Sequence, residues 1–332
     1  MRALVYLGPR RMEVQDASIP EPGPGEVVIR TAASAICGSD LHGFREASPR
    51  RIPPLVMGHE TVGTIDAVGD GVDARGLGER VVLKPILSCG LCERCREGRG
   101  NLCADGRLVG RDLAGGFADR FVVPATAATP IAASVPDDLA TLTEPLANAV
   151  HVTGRAVKPH DTVLVVGAGP IGVLMAGMAL KRGAGAVFSA DPIAPRLELA
   201  RRQGALPLDP DDPERALARA AGGSVDVVID AVGVETTWGL ALRAVRPGGR
   251  VEAVGLGAQK GFVDFFAVAG KEIQITGSFG WTDEDFRRAI GLIEAAEIDT
   301  DGWLTSAPLA EGQRAFEQLV DGAELFKVVL VP

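Results

Sequence analysis

Residues 162–172 read TVLVVGAGPIG, and this stretch decides the fold of the segment around it. The apolar run followed by G-x-G-x-x-G predicts a buried strand, a tight turn and a helix that opens within the motif. Gly167 permits the turn, Gly169 lets the main chain approach a pyrophosphate, and Gly172 lets helix and strand pack closely. The unpaired N–H groups of the helix terminus suit phosphate oxygens. We therefore predict a dinucleotide site at Gly167, Gly169, Pro170, Ile171 and Gly172.

Strand and helix patterns alternate downstream of this motif. The segment AVFSAD (186–191) predicts a second strand, APRLELARRQG (194–204) an amphipathic helix and VDVVIDAVG (225–233) a further strand. A helix and another strand follow in TTWGLALRAVRPGGRVEAVGL (236–256). Such alternation is typical of βαβ units around a doubly wound parallel sheet.

Asp191 ends the second predicted strand, where a carboxylate binds ribose hydroxyls. Because a carboxylate there repels a 2′-phosphate, the sequence favours NAD over NADP. Arg196 lies close by and either stacks on adenine or is a solvated helix residue.

The first ~145 residues read differently, as short strands broken by Pro, Gly and Asp clusters. The tail resumes with a strand in EIQITGS (272–278), a helix in DEDFRRAIGLIEAAEI (283–298) and a last strand in KVVLVP (327–332). The clearest early strands are VVIRTAASAI (27–36), ETVGTIDAVGD (60–70) and ERVVLKPIL (79–87). We therefore expect a β-rich domain beside the α/β one.

Composition excludes several classes of protein. The 332 residues are 46% apolar and carry 43 acidic against 34 basic side chains, a formal charge of -9. This charge argues against general binding to nucleic acid or anionic membranes. No apolar run reaches the ~20 residues that span a bilayer, and the N-terminus lacks a signal-peptide pattern. The expectation is a cytoplasmic protein.

Four of the five cysteines lie close together in C-x2-C-x2-C-x7-C spacing, at Cys89, Cys92, Cys95 and Cys103. Four thiolates so close in sequence can wrap one tetrahedral Zn²⁺, which leaves no open position for a substrate. Disulfides fit poorly in a cytoplasmic chain, and the usual iron–sulfur spacing is missing. The spacing predicts a structural zinc site.

The remaining cysteine, Cys37, lies in ICGSDLHG, and Gly58-His59-Glu60 follows some twenty residues later. A cysteine, a histidine and a carboxylate form a mixed donor set that suits an open, catalytic zinc ion. Each residue alone is more often a buried or hydrogen-bonded structural residue. The combination favours a second metal site.

These motifs resemble the zinc-containing medium-chain dehydrogenase/reductase family, closest to its sorbitol and threonine dehydrogenase branch. The resemblance covers nearly the whole chain, and Glu144 stands where liver-type alcohol dehydrogenases have a second cysteine. It rests on ICGSDLH (36–42), PLVMGHE (54–60), the cysteine segment, TEPLANAVH (143–151), VVGAGPIG (165–172), RPGGRVEAVGL (246–256) and KEIQITGS (271–278).

The resemblance implies roles for individual residues. Cys37 and His59 would be direct zinc ligands, while Glu60 and Glu144 compete for the remaining protein position. The residues that handle protons would be Asp40, which orients the zinc-bound histidine, Ser39, which takes the substrate's proton, and His42, which passes it on.

The resemblance also implies an architecture. A GroES-like β-rich catalytic domain (1–147 and 282–332) would be joined to a Rossmann NAD-binding domain (148–281), in a homodimer or homotetramer. Two zinc ions per chain are expected, one catalytic and one structural.

The implied reaction is zinc-dependent hydride transfer from a secondary alcohol to NAD, which gives a ketone. A polyol, cyclitol, aminocyclitol or amino alcohol is the expected small-molecule substrate. The competing interpretations are a zinc-free quinone or enoyl reductase of the same fold and a non-catalytic NADH-binding sensor.

The candidate pocket residues are Phe44, Arg111, Phe279 and Trp281. Each of them could instead serve packing or an interface. The segment GRDLAGGFADR (110–120) departs from the Ala-Glu-Tyr ending common in the family.

Overall fold

The computed structural model describes residues 1–322 and 325–332 of the chain. The described residues form two compact units, one of Met1–Glu144 with Thr282–Pro332 and one of Pro145–Trp281. The strands are β1 (Arg2–Gly8), β2 (Arg11–Asp16), β3 (Glu26–Ala35), β4 (Leu55–Val56), β5 (Glu60–Val68), β6 (Arg80–Leu83), β7 (Ile86–Leu87), β8 (Arg107–Leu108), β9 (Arg120–Pro124), β10 (Ala128–Pro130), β11 (Thr162–Val166), β12 (Ala186–Ala190), β13 (Leu206–Pro207), β14 (Val225–Asp230), β15 (Val245–Ala253), β16 (Gln274–Gly277), β17 (Leu304–Pro308) and β18 (Lys327–Val331).

The helices follow the same chain order. They are α1 (Gly38–Arg45), α2 (Glu93–Arg96), α3 (Asp137–Ala140), α4 (Thr143–Ala156), α5 (Pro170–Lys181), α6 (Ala194–Arg202), α7 (Pro213–Ala221), α8 (Glu235–Ala244), α9 (Phe265–Gly270), α10 (Asp283–Glu294) and α11 (Gly312–Val320). The boundary between the two units falls inside α4.

The first unit is built on a mostly antiparallel sheet. Strands β10, β6, β5, β3, β18 and β17 lie side by side in that order, and β9 also pairs with β3. A second sheet has the order β2-β1-β4, and β7 pairs with β8. Strand β3 is buried along most of its length, including the consecutive residues Val28 and Ile29, because it lies inside the sheet and pairs with β5, β9 and β18. The first unit therefore has the expected β-rich, GroES-like architecture.

Phe44 corrects one expectation about the substrate pocket. This side chain is fully buried in a core cluster of the first unit, and its ring centroid lies 5.2 Å from that of Phe316. Phe44 is therefore a packing residue, because a fully buried ring has no surface left for a substrate.

The second unit is a parallel sheet in the order β13-β12-β11-β14-β15-β16. The pairings of β11 with β12 and with β14 are both parallel, which places the chain reversal of the doubly wound fold at the carboxyl end of β11. Buried side chains from these strands, such as Leu164 and Val228, pack on α8. The predicted Rossmann fold is confirmed.

Local sequence reasoning predicted α5, α6, α8 and α10, missed seven other described helices and misjudged one boundary. The segment expected as short strands contains α1, α2, α3 and the start of α4, and α7, α9 and α11 were not anticipated either. The helix expected over 236–249 ends at Ala244, and Val245 already starts β15. Within the described ranges, the chain has no helix long and apolar enough to cross a membrane.

Candidate active site and metal centres

The glycine motif forms the turn between β11 and α5. Gly167 has φ +93°, a conformation that glycine adopts without strain. A Cβ atom at Gly172 would lie 1.8 Å from the carbonyl oxygen of Gly167, so only glycine fits there. A Cβ atom at Gly169, in contrast, would meet nothing within 4 Å. The main chain at the start of α5 is therefore open to a ligand, and Pro170 occupies the first turn, where it suits a helix start.

Asp191 follows β12 and is tied to this turn. Its Oδ2 accepts a hydrogen bond from the main-chain N–H of Ala168 at 2.8 Å, and its Oδ1 accepts one from Ile193 at 2.8 Å. Each carboxylate oxygen has a second lone pair, which leaves room for a ribose hydroxyl. Arg196 lies half-buried in the first turn of α6, the helix that follows. The two residues predicted to contact the adenosine half of the cofactor thus lie at the carboxyl edge of the sheet.

The four-cysteine cluster has the dimensions of a tetrahedral thiolate site. The ligand atoms of Cys89, Cys92, Cys95 and Cys103 lie within 4.8 Å of one another. Sγ–Sγ distances are 3.5 Å for Cys92–Cys95 and 3.9 Å for both Cys89–Cys95 and Cys92–Cys103. A tetrahedron with Zn–S bonds of ~2.3 Å has edges of about 3.8 Å. The sulfur atoms are therefore arranged around a zinc-sized centre.

Main-chain donors favour the thiolate form of Cys89 and Cys92. For Cys103, the main-chain N–H of Cys89 lowers the pKa, but burial and side-chain hydrogen bonds outweigh it and raise the pKa to about 11. The N–H groups of Leu91 and Cys92 donate to Sγ of Cys89 at 3.4 Å each, and they lower the pKa of its thiol. Main-chain and side-chain hydrogen bonds around Cys95 lower the pKa of Cys92 to about 6. Since zinc binds the thiolate, these contacts prepare Cys89 and Cys92 for the metal.

The second cluster brings together donors that are distant in sequence. One ligand atom each from Cys37, His59 and Glu60 lies within 4.8 Å of the others. Cys37 is half-buried at the start of α1, and Glu60 begins β5 opposite Ala35 of β3. Gly58 adopts φ +97° just before β5, and the turn there places His59 next to Glu60 at the start of that strand. The β3–β5 pairing therefore assembles the mixed donor set that the sequence predicted.

Asp40 lies behind the histidine of this cluster. Its Oδ2 accepts the main-chain N–H of Cys37 at 3.2 Å, and its Oδ1 lies 3.6 Å from Nδ1 of His59. The Asp40 side chain is fully buried. It therefore lies where an acid that orients a metal-ligating imidazole is expected.

Lys327 is a buried cation that the sequence reasoning did not single out. It starts β18, is 3% exposed, and forms an ion pair with Oε2 of Glu60. Burial lowers the pKa of Lys327, but the charge and hydrogen bond of Glu60 and the charges of Cys37 and Glu144 together outweigh it and raise the pKa. Burial raises the pKa of Glu60, and the charge of Lys327 opposes that shift. A lone lysine opening an otherwise apolar strand is the signal that could have found this residue.

The charged groups around His59 shift its pKa strongly. Burial lowers the pKa of His59, yet the nearby Asp40, Cys37 and Glu144 raise it to about 10. Glu144 is 8% exposed and also acts electrostatically on Glu60 and Lys327. Cysteine, histidine and carboxylate are donor types that zinc accepts, so the residues of this cluster fit zinc.

Ser39 and His42 lie on α1, next to Cys37. Both are exposed, in contrast to the buried Asp40 between them. The hydroxyl of Ser39 is exposed, although the next residue, Asp40, is buried, and it can therefore meet a substrate. His42 lies in the last turn of the same helix. The arrangement is compatible with the proton path implied by the family resemblance.

The other pocket candidates have varied surroundings. Arg111 lines a cavity of about 450 Å³ in the first unit, and its Nη2 lies 2.6 Å from Oδ2 of Asp112. Phe279 is 49% exposed, whereas Trp281 is buried at 2%. The burial of Trp281 indicates packing, while Arg111 retains access to an open surface.

Two family models match the chain. The alcohol dehydrogenase GroES-like domain matches residues 23–133, and the zinc-binding dehydrogenase model matches residues 170–295. Among curated relatives, L-threonine 3-dehydrogenase of Pyrococcus abyssi is 37% identical over 304 residues, which cover 88% of this chain and 87% of the relative. A probable D-xylulose reductase A of Neosartorya fischeri is 30% identical, with 96% of this chain and 94% of the relative covered.

Solved structures share the whole fold. An alcohol dehydrogenase (RspB) of Escherichia coli CFT073, complexed with NADH, superposes with a TM-score of 0.92 at 31% identity and covers 100% of this chain and 99% of its own. A zinc-binding dehydrogenase of Sinorhizobium meliloti 1021, bound to NADP, gives a TM-score of 0.91 at 31% identity with the same coverage.

The fold and the donor clusters define a metal-dependent oxidoreductase with a nicotinamide cofactor. The chain belongs to the zinc-binding dehydrogenase family, in the branch that contains the sorbitol and threonine dehydrogenases. It is therefore an alcohol dehydrogenase by class, as the sequence motifs predicted.

Proposed function

We propose that this protein oxidises a secondary alcohol to a ketone with NAD, and that Cys37, His59 and a glutamate hold the catalytic zinc. The convergence of these donors beside Ser39 and Asp40 is the observation that carries the proposal. When bound, zinc supplies Lewis acidity that makes an alcohol hydroxyl easier to deprotonate.

Glu60 is the glutamate that we propose as the resting ligand. Its carboxylate lies with Cys37 and His59 inside the 4.8 Å donor set, while Lys327 holds one of its oxygens. Glu144 influences the same groups electrostatically. We infer that Glu60 supplies the resting carboxylate and that Glu144 is the partner in exchange.

The proton leaves the substrate through side chains of α1. Ser39 accepts the proton of the substrate hydroxyl and releases its own proton toward His42 and solvent. Asp40, whose Oδ1 lies 3.6 Å from Nδ1 of His59, would orient the imidazole and leave its other nitrogen free to hold a metal. In this way Ser39, Asp40 and His42 each have one task.

NAD is the proposed cofactor because Asp191 lies at the ribose position. Its two oxygens are already held by the N–H groups of Ala168 and Ile193, so the carboxylate stays in place when a ligand approaches. A 2′-phosphate would face this negative charge directly. The neighbouring structures bind NADH in one case and NADP in the other, so the preference rests on Asp191.

Two zinc ions per chain are proposed, one for each donor cluster. The thiolate cluster is closed by four sulfur ligands and has a stabilising role. The clustered thiols also support a cytoplasmic location, because they act as zinc ligands only when reduced.

The proposed substrate carries neighbouring polar groups, as polyols, cyclitols, aminocyclitols and amino alcohols do. The relatives named for threonine and xylulose act, by those names, on hydroxyl compounds of this kind. Arg111, with its planar guanidinium at an open cavity, is the residue we propose for a polar or anionic substrate group.

A substrate panel tests the function. NADH formation is measured with sugar alcohols, cyclitols, aminocyclitols, β-hydroxy amino acids and simple secondary alcohols, with NAD and NADP, before and after chelation. We expect chelator-sensitive turnover of at least one polyhydroxy or amino alcohol with NAD. Turnover that survives complete metal removal would contradict the zinc mechanism and favour a zinc-free reductase.

A non-catalytic NADH sensor is the competing function from another class. It would need the glycine turn and Asp191 but not a buried donor cluster. NADH binding with one zinc per chain and silence across the panel would favour the sensor.

We propose a homodimer formed through the second unit. In the described structure β16 pairs with β15 on one side and is exposed along its length. Phe262, Phe265 and Phe266 nearby are 71%, 77% and 94% exposed. An open strand edge beside exposed aromatic rings suits an identical strand from a second copy, since a twofold axis pairs like with like.

Light scattering should give twice the chain mass, and Phe266→Asp should shift the protein toward monomer. A tetramer would instead give four times that mass.

A further inference from the structure

Arg51 is a buried cation in the first unit, and the surrounding chain leaves room for its side chain. The turn that precedes it closes with its N–H donating to the carbonyl of Ser48 at 3.1 Å. The residue is 4% exposed, so its guanidinium is almost fully removed from water. A Cβ atom at Gly43 would lie 2.6 Å from Cγ of Arg51, so the glycine of α1 makes room for this side chain. Arginine is rarely buried unless it is paired.

The guanidinium contacts two residues that flank the metal cluster. Its Nη2 donates to Oδ1 of Asp40 at 3.1 Å and to Oγ of Ser39 at 3.1 Å. A primary guanidinium nitrogen has two hydrogens, so these contacts use both. The same Oδ1 of Asp40 lies 3.6 Å from Nδ1 of His59. One nitrogen atom thus joins the acid behind the histidine to the serine hydroxyl.

We propose that Arg51 is a positioning residue that fixes Ser39 and Asp40 together, and so couples proton removal to the orientation of the metal-binding histidine. The proposal rests on the proposed alcohol oxidation, in which Ser39 accepts the substrate's proton. Arg51 itself is buried and acts only through these two residues.

The contact gives the serine hydroxyl a direction. A hydroxyl oxygen has two lone pairs and one hydrogen. With one lone pair taken by Arg51, the other receives the substrate's proton and the hydroxyl hydrogen points onward. The O–H bond of the substrate breaks, a new Oγ–H bond forms, and the original Oγ–H bond releases its proton toward His42 and solvent. Without Arg51, the hydroxyl can rotate among several acceptors and is less often in the productive orientation.

The contact with Asp40 gives the histidine a fixed neighbour. The buried carboxylate is held by the Cys37 N–H on Oδ2 and by Arg51 on Oδ1. Loss of Arg51 would leave Asp40 with less support and free to rotate away from His59. Groups that orient a ligating histidine typically change metal affinity 10- to 100-fold when removed, roughly the size we expect here.

The test compares Arg51→Met and Arg51→Lys with Arg50→Met, an exposed neighbour that serves as the matched control. For Arg51→Met we expect kcat to fall about 100-fold, as misplacement of a reacting group does, with KM for NAD unchanged. Arg51→Lys, which keeps the charge and a donor, should recover about tenfold. Arg50→Met should behave as the unaltered protein.

A second measurement does not depend on turnover. Zinc affinity of the metal-depleted variants is measured by competition with a chromophoric chelator, with the melting curve as a check on folding. Arg51→Met should lose about tenfold in affinity at one of its zinc sites, and Arg51→Lys less. If Arg51→Met does not fold, Arg51→Lys tests the proposal through the separate changes in its kcat and its KM.

Wild-type kcat and wild-type zinc affinity in folded Arg51→Met would overturn the proposal. Equal losses in Arg51→Lys and Arg51→Met would also overturn it, since they would indicate packing alone. If the unaltered protein oxidises no alcohol, the proposed function fails. In that case the zinc competition still decides whether Arg51 orients the histidine.

Discussion

The two donor clusters of this protein are built in opposite ways. The four-cysteine cluster comes from fifteen consecutive residues, 89–103, around the short helix α2, and Cys89 is exposed. The cluster of Cys37, His59 and Glu60 joins the ends of β3 and β5 and is largely buried. The first carries four like donors, and the second carries three different ones.

The difference lies in what holds each cluster together. The thiolates of the exposed cluster are supported by main-chain N–H groups of their own loop, such as those of Leu91 and Cys92. The buried donors depend on charges from distant segments, Lys327 near the C-terminus and Arg51 after α1. A local cluster can form wherever its loop folds, and it gains most of its stability from the metal. The buried cluster needs the folded core before it can exist.

Removal of Cys37 should give the largest effect on catalysis. Cys37→Ala is expected to lower kcat at least about 10³-fold, because Lewis acid assistance is worth several kcal/mol and each 1.4 kcal/mol is tenfold. Zinc content should fall by one ion per chain, and NADH affinity, followed by fluorescence, should stay near that of the unaltered protein. Full activity of Cys37→Ala would contradict the assignment.

Removal of Cys95 should lower stability and leave catalysis nearly unchanged, the reverse of what removal of Cys37 should do. Cys95→Ala is expected to lose one zinc ion as well, but to lower the melting temperature by on the order of 10 °C, because structural zinc contributes folding energy. Turnover per folded molecule should stay within a factor of a few. Calorimetry and metal analysis on both cysteine variants check this together. If Cys95→Ala lost activity without losing stability, the two clusters would not differ in role.

Loss of Lys327 tests how far the buried cluster depends on distant charge. Lys327→Met leaves Glu60 buried without its cation, and such a change costs about 3–5 kcal/mol in the free energy of unfolding. The double variant with Glu60→Gln should recover part of this loss, because no uncompensated charge remains. Lys84→Met serves as control, since its pair with Asp283 is at the surface and worth about 1 kcal/mol or less. Chemical denaturation of the metal-free proteins gives all three values, and equal effects of the two lysine variants would contradict the argument.

The smallest expected effect is a change in the stability of the second unit at acid pH. This unit contains neither donor cluster. Burial raises the pKa of Asp226, but the N–H and hydroxyl of Thr162 and the guanidinium of Arg246 outweigh it and lower the pKa to about 2. Because the folded pKa lies below the ordinary value of 3.8, the contribution of Asp226 to stability is present above about pH 4 and is lost as the pH falls to about 2.

Asp226→Asn should therefore reduce stability at pH 7 by about 1–2 kcal/mol, with solvent screening limiting the effect. It should also flatten the pH dependence below pH 4, measured by denaturant titration on zinc-depleted protein. An unchanged slope in that range would show that other carboxylates dominate the acid transition.

The sequence predicted some features of this protein better than others. Contiguous patterns were sufficient for the sheet of the second unit and for the four-cysteine spacing, because each is set by residues close in the chain. Helix α1 was missed, since ICGSDLHG shows no apolar helical period and its start depends on Asp40 accepting the N–H of Cys37. Phe44 stayed open between a pocket and a packing role, because a sequence cannot show that Phe316 packs on it.

By itself, the sequence determined the residue types of both clusters, the glycine turn and the acid after β12, because these require particular side chains at short fixed spacings. Only the tertiary structure decided that Lys327 pairs with Glu60 and that Arg51 joins Ser39 to Asp40. Such pairs join separate segments of the chain, and a buried charge finds its partner only when the core excludes water from both.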